Sequence, residues 1–284
     1  MSDAVILERS DGGKLVLHRL GPDTGPPLLI SHATGFHGRS YIEIAEHLSR
    51  AWTVWAVDYR GHGVSPTPEQ PIENWDGFAE DALCVAKHMA PNGGLRAFGH
   101  SMGGAAVLMA HLKNSGAFQH LVAFEPIAPP ASDNFDVDKL PIAVGAERRR
   151  PTFDSLDAAF DNYRSKPPLG AFTETSLRAY VDHGFERLED GSATLRCTPN
   201  FEASVFRSAH RNSLWDNLAH IDLRVDVIAG VVEEHQPSNF AESVATRLPS
   251  GSYTQVPTMN HFGPFTAPAE VAAIVDEMFR STTA

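Results

Sequence analysis

Residues 95–104 read Leu95-Arg96-Ala97-Phe98-Gly99-His100-Ser101-Met102-Gly103-Gly104. An apolar run ends at Gly99 and a helix-forming run follows over residues 105–110, so this stretch predicts a strand, a tight turn and a helix. The Gly-x-Ser-x-Gly pattern puts Ser101 on the turn, where small residues on either side let the backbone pass closely while the hydroxyl points outward. The start of the helix adds backbone N–H groups and the positive end of a dipole, both suited to a negatively charged oxygen. A pattern this short also occurs in turns without chemistry, so its function depends on what the rest of the chain supplies.

The composition fits one large α/β domain or a core domain that carries an insertion. The chain has 284 residues, of which 42% are apolar, and runs typical of strands alternate with runs typical of helices. Its formal net charge is −12, from 35 acidic and 23 basic residues, which argues against a nucleic-acid partner and against binding to an anionic membrane. The composition does not indicate an oligomeric state.

The sequence carries no recognisable targeting or disulfide signal. Its amino terminus lacks a basic segment followed by an apolar core, and no apolar run reaches membrane-spanning length, so we expect a cytoplasmic protein. Cys84 and Cys197 are the only cysteines, which excludes a disulfide framework and a zinc site of several thiolates. We expect neither a metal nor a cofactor.

Strands and helices alternate along both ends of the chain. Short apolar runs predict strands at 5–8, 14–20, 28–30, 52–57, 95–99, 121–124, 225–229 and 252–256. Helical spacing of apolar residues predicts helices at 41–48, 75–89, 239–248 and 268–279. Between them, residues 127–214 have prolines, basic residues and separate amphipathic segments instead of the alternation, which indicates a mostly helical insertion. The predicted core domain therefore comprises residues 1–126 and 215–284.

Four motifs occur in the order and at the spacing typical of the α/β-hydrolases, and on them the chain resembles that superfamily over nearly its whole length. They are the oxyanion loop His32-Ala33-Thr34-Gly35, the stretch Asp58-Tyr59-Arg60-Gly61-His62-Gly63, the nucleophile elbow around Ser101, and the catalytic-histidine loop His261-Phe262-Gly263. The resemblance implies a mostly parallel twisted sheet with helices on both faces. It also implies that residues 127–214, which follow the sixth strand, form a helical cap.

Ser101 needs a base, because a serine hydroxyl is a poor nucleophile near neutral pH. His261 fits this role best, since it follows the last strand and the superfamily has the chain order Ser, acid, His. We expect His100 to pack behind the elbow, His62 to fix its glycine-flanked loop, and His32 to support the oxyanion loop.

The acid that orients His261 has three candidates. The superfamily usually places it after the seventh strand, often three residues beyond a glycine, and Gly230 leads here to Glu233. Pro237 matches a proline common after that acid, so we favour Glu233 over Glu234. Glu125 is a rival, because some relatives hold their acid after the sixth strand.

Negative charge that develops on a substrate oxygen needs preorganised donors. We assign the backbone N–H groups of Met102 and Thr34 to this oxyanion hole, with Gly35 as the alternative to Thr34 if the loop is read one position later. Other conspicuous residues have simpler interpretations. The Glu147-Arg148-Arg149-Arg150 run is compatible with binding a substrate carboxylate or phosphate, but a solvated helix end or loop explains it as well, and core packing explains Trp75 and Phe78.

The resemblance implies a cofactor-free serine hydrolase whose partner is a small acyl compound, such as an ester. The same fold and triad also serve C–C bond hydrolases, lactonases, thioesterases and perhydrolases, and a non-catalytic ligand receptor can retain the whole triad. Ser101 in place of aspartate argues against epoxide hydrolases and haloalkane dehalogenases, whose nucleophile is a carboxylate. The sequence does not reveal the substrate, because specificity depends on the shape of the pocket and the cap.

Overall fold

The computed structural model describes residues 4–70, 72–130, 136–234 and 236–281. Its strands, in chain order, are β1 (Ala4–Glu8), β2 (Lys14–Arg19), β3 (Pro27–Ser31), β4 (Thr53–Asp58), β5 (Leu95–His100), β6 (Phe118–Phe124), β7 (Thr152–Phe153), β8 (Phe185–Arg187), β9 (Ala193–Leu195), β10 (Arg224–Ala229) and β11 (Gly251–Gln255). Its α-helices are α1 (Ile42–Leu48), α2 (Asp76–Met89), α3 (Met102–Lys113), α4 (Pro141–Glu147), α5 (Leu156–Arg164), α6 (Glu174–Gly184), α7 (Pro199–Ser208), α8 (Leu214–Asn217), α9 (Ser238–Arg247), α10 (Gly263–Thr266) and α11 (Pro268–Arg280). Short 3-10 helices span Gly38–Tyr41, Val137–Lys139, Leu169–Ala171, Ala209–Arg211 and Leu218–His220.

Within the described residues, eight strands form one mostly parallel sheet in the order β1-β2-β4-β3-β5-β6-β10-β11. The antiparallel pairs are β1 with β2 and β2 with β4, while the other neighbours are parallel. The strands predicted at 5–8 and 14–20 form an opening hairpin that turns at Asp11-Gly12-Gly13, where Gly12 has a φ of 80°. The predicted α/β fold is therefore confirmed.

Successive residues of the central strands bury their side chains on opposite faces of the sheet. Leu29 and Ala97 belong to a core cluster that includes the buried sides of α2, α3 and α9. Ile30 and Phe98 belong to a second cluster that includes those of α1 and α11. Both faces are therefore covered, which explains why these strands read as continuous apolar runs rather than as alternating ones.

The carboxyl ends of four parallel strands lie side by side. Ser31 at the end of β3 pairs with Gly99 of β5, and His100 at the end of β5 pairs with Phe124 of β6. Phe124 in turn pairs with Ile228 of β10. The loops that follow β3, β5, β6 and β10 therefore meet at one edge of the sheet, which is where open α/β sheets bind their ligands.

The segment between β6 and β10 packs over both core clusters. It contains α4 to α7, and β7, β9 and β8 form a small antiparallel sheet that the sequence did not predict. Residues 131–135 of the predicted insertion lie outside the described residues. The segment is attached to the core by hydrogen bonds, including Trp75 Nε1 to the Val205 carbonyl (3.0 Å) and the Thr173 N–H to the Phe265 carbonyl (3.0 Å).

Two observations relate to the expectations about disulfides and membrane spans. Cys84 and Cys197 are free thiols in the structure. Within the described ranges, no helix combines the length and the apolar character needed to cross a bilayer.

Candidate active site

Ser101 lies on a sharp turn between β5 and α3. Its φ and ψ are 55° and −118°, a conformation that a serine adopts only where the surroundings impose it. A Cβ on Gly103 would come within 2.0 Å of the Ser31 carbonyl oxygen, so only glycine lets α3 start this close to the end of β3. The Ser101 side chain is nearly buried, with 8% of the residue exposed. The Gly-x-Ser-x-Gly stretch thus forms the predicted strand, turn and helix.

The structure brings Glu125, rather than Glu233, to His261. Glu125 Oε2 lies 2.6 Å from His261 Nδ1, and Glu125 Oε1 accepts the Gly230 N–H at 2.8 Å. Glu125 is fully buried and, like Ser101, has a positive φ, of 45°. The carboxylate can only accept, so His261 carries its proton on Nδ1 and leaves Nε2 free to accept.

The prediction of Glu233 as the acid is therefore wrong in this structure. Glu233 and the alternative Glu234 both lie exposed on the loop between β10 and α9. The loop after β10 is instead hydrogen-bonded to the segment that precedes His261, since the Val231 N–H donates to the Met259 carbonyl (2.7 Å). The Gly230 that suggested an acid three residues later instead donates its N–H to the side chain of Glu125.

The turns that carry Ser101 and Glu125 are hydrogen-bonded to each other. The Ser101 N–H donates to the Phe124 carbonyl (2.9 Å), and the Ile127 N–H donates to the Ser101 carbonyl (3.3 Å). His261 contacts both turns, because it binds Glu125 through its ring and accepts a hydrogen bond from His100 on its carbonyl oxygen (2.9 Å). Nucleophile, acid and base candidates are thus gathered at one edge of the sheet.

The oxyanion candidates lie on two segments that are held together. Ser31, at the end of β3, donates its hydroxyl to the Gly103 carbonyl in the first turn of α3 (2.9 Å). Met102 begins α3, and Thr34 lies three residues beyond Ser31 and is nearly buried. Among the described residues, neither the Met102 nor the Thr34 backbone N–H donates a hydrogen bond to a neighbour. Both donors are therefore available to a ligand.

The other histidines that competed for the role of base are buried and hydrogen-bonded. His32 donates Nδ1–H to the Ala33 carbonyl (2.8 Å) and accepts the Tyr59 N–H on Nε2 (3.0 Å), so it supports the loop that carries Thr34. His62 contacts the Arg60 carbonyl (3.0 Å), and burial lowers the pKa of His62 to about 4. Burial also lowers the pKa of His32 and of His100 well below the usual range. These three rings stay neutral near pH 7, in keeping with the supporting roles predicted for them.

A polar cluster in the segment between β6 and β10 lies against the oxyanion loop. The Arg149 guanidinium donates to Glu202 Oε2 (2.5 Å), to the Tyr163 hydroxyl (3.0 Å) and to the Tyr180 hydroxyl. Glu202, on α7, reaches Gly35, where an added Cβ would come within 2.2 Å of Glu202 Oε1. This cluster could not be predicted from the sequence, because nothing distinguishes Arg149 from its neighbours in the arginine run.

The rest of the run behaves as a solvated stretch. Glu147 pairs with Arg207 at the surface (2.6 Å), and Arg148 and Arg150 are exposed. Trp75 and Phe78 are fully buried, as core packing requires.

Aromatic side chains form a wall between the oxyanion loop, the histidine loop and this segment. Phe36, directly after Gly35, stacks on Phe265 at 4.5 Å between ring centroids and lies 5.3 Å from Tyr180. Phe172 stacks on Phe265 at 4.9 Å and lies 5.8 Å from Phe262, the residue after His261. Except for Phe262, which is partly buried, these rings are buried in the second core cluster and pack the two loops against the segment between β6 and β10.

Sequence comparison matches part of the chain to known hydrolases. Residues 26–150 match the family described as "Serine aminopeptidase, S33" (Hydrolase_4). The chain is 31% identical over 190 residues to 2-(acetamidomethylene)succinate hydrolase from Mesorhizobium japonicum, covering 67% of this chain and 66% of that protein. It is 30% identical over 135 residues to human (Homo sapiens) monoglyceride lipase, covering 44% of this chain and 45% of the lipase. The chain thus aligns with less than two thirds of the length of either relative.

Solved structures match the fold over almost the entire chain. The crystal structure of E-2-(acetamidomethylene)succinate hydrolase superposes with a TM-score of 0.81 at 19% identity, covering 99% of this chain and 100% of the other. The thioesterase domain from the curacin biosynthetic pathway superposes with a TM-score of 0.78 at 17% identity, covering 98% and 99%. With its strand order, its serine turn and these similarities, the chain belongs to the α/β-hydrolase superfamily.

Proposed function

We propose that this protein is a serine hydrolase that cleaves an ester or related acyl compound through an acyl-enzyme. The observation that carries the proposal is the 2.6 Å contact between His261 Nδ1 and Glu125 Oε2, next to the turn that bears Ser101. A carboxylate on Nδ1 leaves Nε2 as the acceptor that a serine nucleophile requires. The sequence relatives, a succinate-derivative hydrolase and a monoglyceride lipase, support hydrolysis as the reaction class.

In the first half-reaction, the Ser101 hydroxyl adds to the substrate carbonyl while His261 Nε2 takes the hydroxyl proton. The N–H groups of Met102 and Thr34 bind the oxyanion, and losing one such donor typically costs about 10²- to 10³-fold in turnover. His261 then gives its proton to the leaving group, and the bond between the carbonyl carbon and that group breaks. Throughout, Glu125 stabilises the imidazolium without taking its proton.

In the second half-reaction, water adds to the acyl-enzyme and loses a proton to His261. Collapse of that intermediate breaks the bond to Ser101, which recovers its proton from His261. Lactones, thioesters, activated C–C bonds and perhydrolysis use the same sequence of steps with a different leaving group or acceptor. An ester leads this set because one of the sequence relatives is a monoglyceride lipase, and a monoglyceride is an ester.

We also propose that residues 127–214 form a cap that supplies substrate contacts. The support is that Glu202 reaches the oxyanion loop at Gly35, and that Phe172 stacks in the aromatic wall beside the histidine loop. Phe172→Ala should change the preference among acyl chain lengths. Phe153→Ala is the matched control, because Phe153 is buried within the cap against Tyr163 and Phe185 and should lower stability without changing that preference.

The decisive experiment compares wild type and Ser101→Ala on a panel of acyl esters, lactones and thioesters of graded chain length. Wild type should show a burst of product from an activated ester, and Ser101→Ala should fold normally but lose at least about 10³-fold in turnover. Hydrolysis at near wild-type rate by contamination-free Ser101→Ala would refute the serine mechanism. Tight binding of a panel member with negligible wild-type turnover would instead identify a receptor.

A further inference from the structure

Tyr41 and His100 connect the oxyanion loop to the loop of His261 by an unbroken series of hydrogen bonds. The Ala33 N–H donates to the Tyr41 oxygen (3.1 Å), and the Tyr41 hydroxyl lies 2.7 Å from His100 Nδ1. His100 Nε2 lies 2.9 Å from the His261 carbonyl oxygen. Tyr41 and His100 are buried, with at most 1% of either residue exposed.

The direction of each hydrogen bond follows from its acceptor. The His261 carbonyl can only accept, so His100 carries its proton on Nε2. Burial keeps His100 neutral, because it lowers the pKa of this ring well below the usual range. Its Nδ1 is therefore an acceptor, which requires the Tyr41 hydroxyl to donate and leaves the Tyr41 oxygen to accept from Ala33. Every polar group in the series has one role, and no member can reverse without leaving a buried group unpaired.

The two ends of the series lie at the oxyanion loop and at His261, and the distance between these two parts of the site must stay constant. Ala33 directly precedes Thr34, a proposed oxyanion donor. At the other end, His261 is held through its carbonyl by His100 and through its ring by Glu125. A neutral His100, with its ring centroid 4.8 Å from that of His261, also adds no positive charge against the imidazolium that forms in catalysis.

We infer that Tyr41 and His100 are positioning residues that fix the distance between the oxyanion donors and His261. The inference rests on the proposed function. If His100 only packed behind the elbow, any apolar side chain of similar size could replace it, whereas the positioning role requires both of its ring nitrogens. Since a misplacement of about 1 Å can cost about 10²-fold in rate, breaking the series should lower kcat and leave KM nearly unchanged.

The test compares four variants. His100→Leu keeps the bulk but neither hydrogen bond, and should lose about 100-fold in kcat. His100→Gln keeps a carbonyl to accept from Tyr41 and an amide N–H to donate to His261, and should stay within about tenfold of wild type. Tyr41→Phe keeps the ring that packs on Phe265 and should lose about tenfold. In His100→Leu/Tyr41→Phe, the second change should cost little more, because residues that act as a unit are not additive.

A spectroscopic readout makes the test independent of any substrate. In protein with ¹⁵N-labelled histidine, His100 should be the neutral Nε2–H tautomer near pH 7, and the Nδ1 proton of His261 should give a far-downfield signal from its bond to Glu125. His100→Leu should broaden or shift that signal, and His100→Gln should retain it. An Nδ1–H tautomer of His100, or a downfield signal that His100→Leu leaves unchanged, would overturn the inference.

The two proposals can fail separately. If wild type hydrolyses no member of the panel but its His261 signal responds to the variants as described, the proposed function fails and the positioning of His261 stands. If wild type is active and His100→Leu equals His100→Gln in kcat, the positioning role fails and the proposed function stands.

Discussion

Replacing Glu125 by glutamine tests the arrangement of the site with the smallest change in shape. Glu125 uses one carboxylate oxygen for the Gly230 N–H (2.8 Å) and the other for His261 Nδ1 (2.6 Å). In Glu125→Gln, the amide oxygen should stay with Gly230, because a buried backbone N–H left without an acceptor is costly. The amide NH2 then faces His261 and can only donate to Nδ1. His261 is forced to carry its proton on Nε2, where it can no longer accept the proton of Ser101.

The expected loss is large. A serine hydrolase that keeps its geometry but has the wrong histidine tautomer loses about 10⁴-fold in kcat, which corresponds to about 5.5 kcal/mol of transition-state stabilisation. We expect Glu125→Gln to lose about 10³- to 10⁴-fold near pH 7, with little change in KM. Glu233→Gln is the matched control, since Glu233 is exposed, and it should stay within about twofold of wild type.

The assay is stopped-flow hydrolysis of an activated ester, with burst amplitude and steady-state rate measured separately. Circular dichroism and thermal unfolding of each variant establish that it is folded before its kinetics are compared. A Glu233→Gln loss above about 100-fold, together with a Glu125→Gln rate within tenfold of wild type, would show that the acid lies on the β10 loop and that the side chains rearrange in the working enzyme.

Three further predictions concern stability. Arg149→Met leaves the carboxylate of Glu202 buried without a partner and should lower the free energy of unfolding by about 3 to 5 kcal/mol, whereas Arg149→Met/Glu202→Leu should recover much of the loss in urea denaturation. Gly35→Ala and Gly191→Ala both place alanine at a positive φ (77° and 87°), but of these two positions only 35 has a neighbouring atom within 4 Å. Gly191→Ala should therefore lower the free energy of unfolding by only about 1 kcal/mol, and Gly35→Ala should unfold at a lower temperature than Gly191→Ala. Burial lowers the pKa of His37 from 6.5 to about 4, so its contribution to stability is complete above pH 6.5 and is lost as pH falls toward 4, by up to about 3 kcal/mol. A denaturation profile of His37→Gln as steep as wild type between pH 6.5 and 4 would contradict this.

The central strands could be predicted from the sequence because they are buried on both faces. Continuous apolar runs such as 28–30 and 225–229 have no other stable place in a folded chain, and the observed strands β3 and β10 extend them by at most two residues. The segment between β6 and β10 was less predictable. Its strands β7, β8 and β9 have two or three residues each, which is too few to establish an alternating pattern.

The polar partners of the site were even harder to predict from the sequence, because contacts between residues that are distant along the chain leave no pattern in it. Tyr41 binds His100 across 59 positions, and Arg149 binds Glu202 across 53. In sequence, Tyr41 is one aromatic residue at a helix start, and Arg149 is one of three successive arginines. Resemblance to the motifs of the α/β-hydrolases predicts the roles of Ser101 and His261, but only the folded arrangement shows which residues hold them in place.

Glu125 shows why the position of the loop after β10 was not enough to predict the acid. The end of β6 lies between the ends of β5 and β10, so a residue there is adjacent to the serine turn whatever the loop after β10 does. Glu125 has a positive φ, a conformation that costs a non-glycine residue about 1 to 3 kcal/mol and persists only where surrounding contacts compensate. Those contacts are the Gly230 N–H and the His261 ring, both bound by this one side chain. Because Gly230 donates to the carboxylate, the loop after β10 acts as a support for the acid on β6, and a carboxylate at Glu233 is not needed to orient His261.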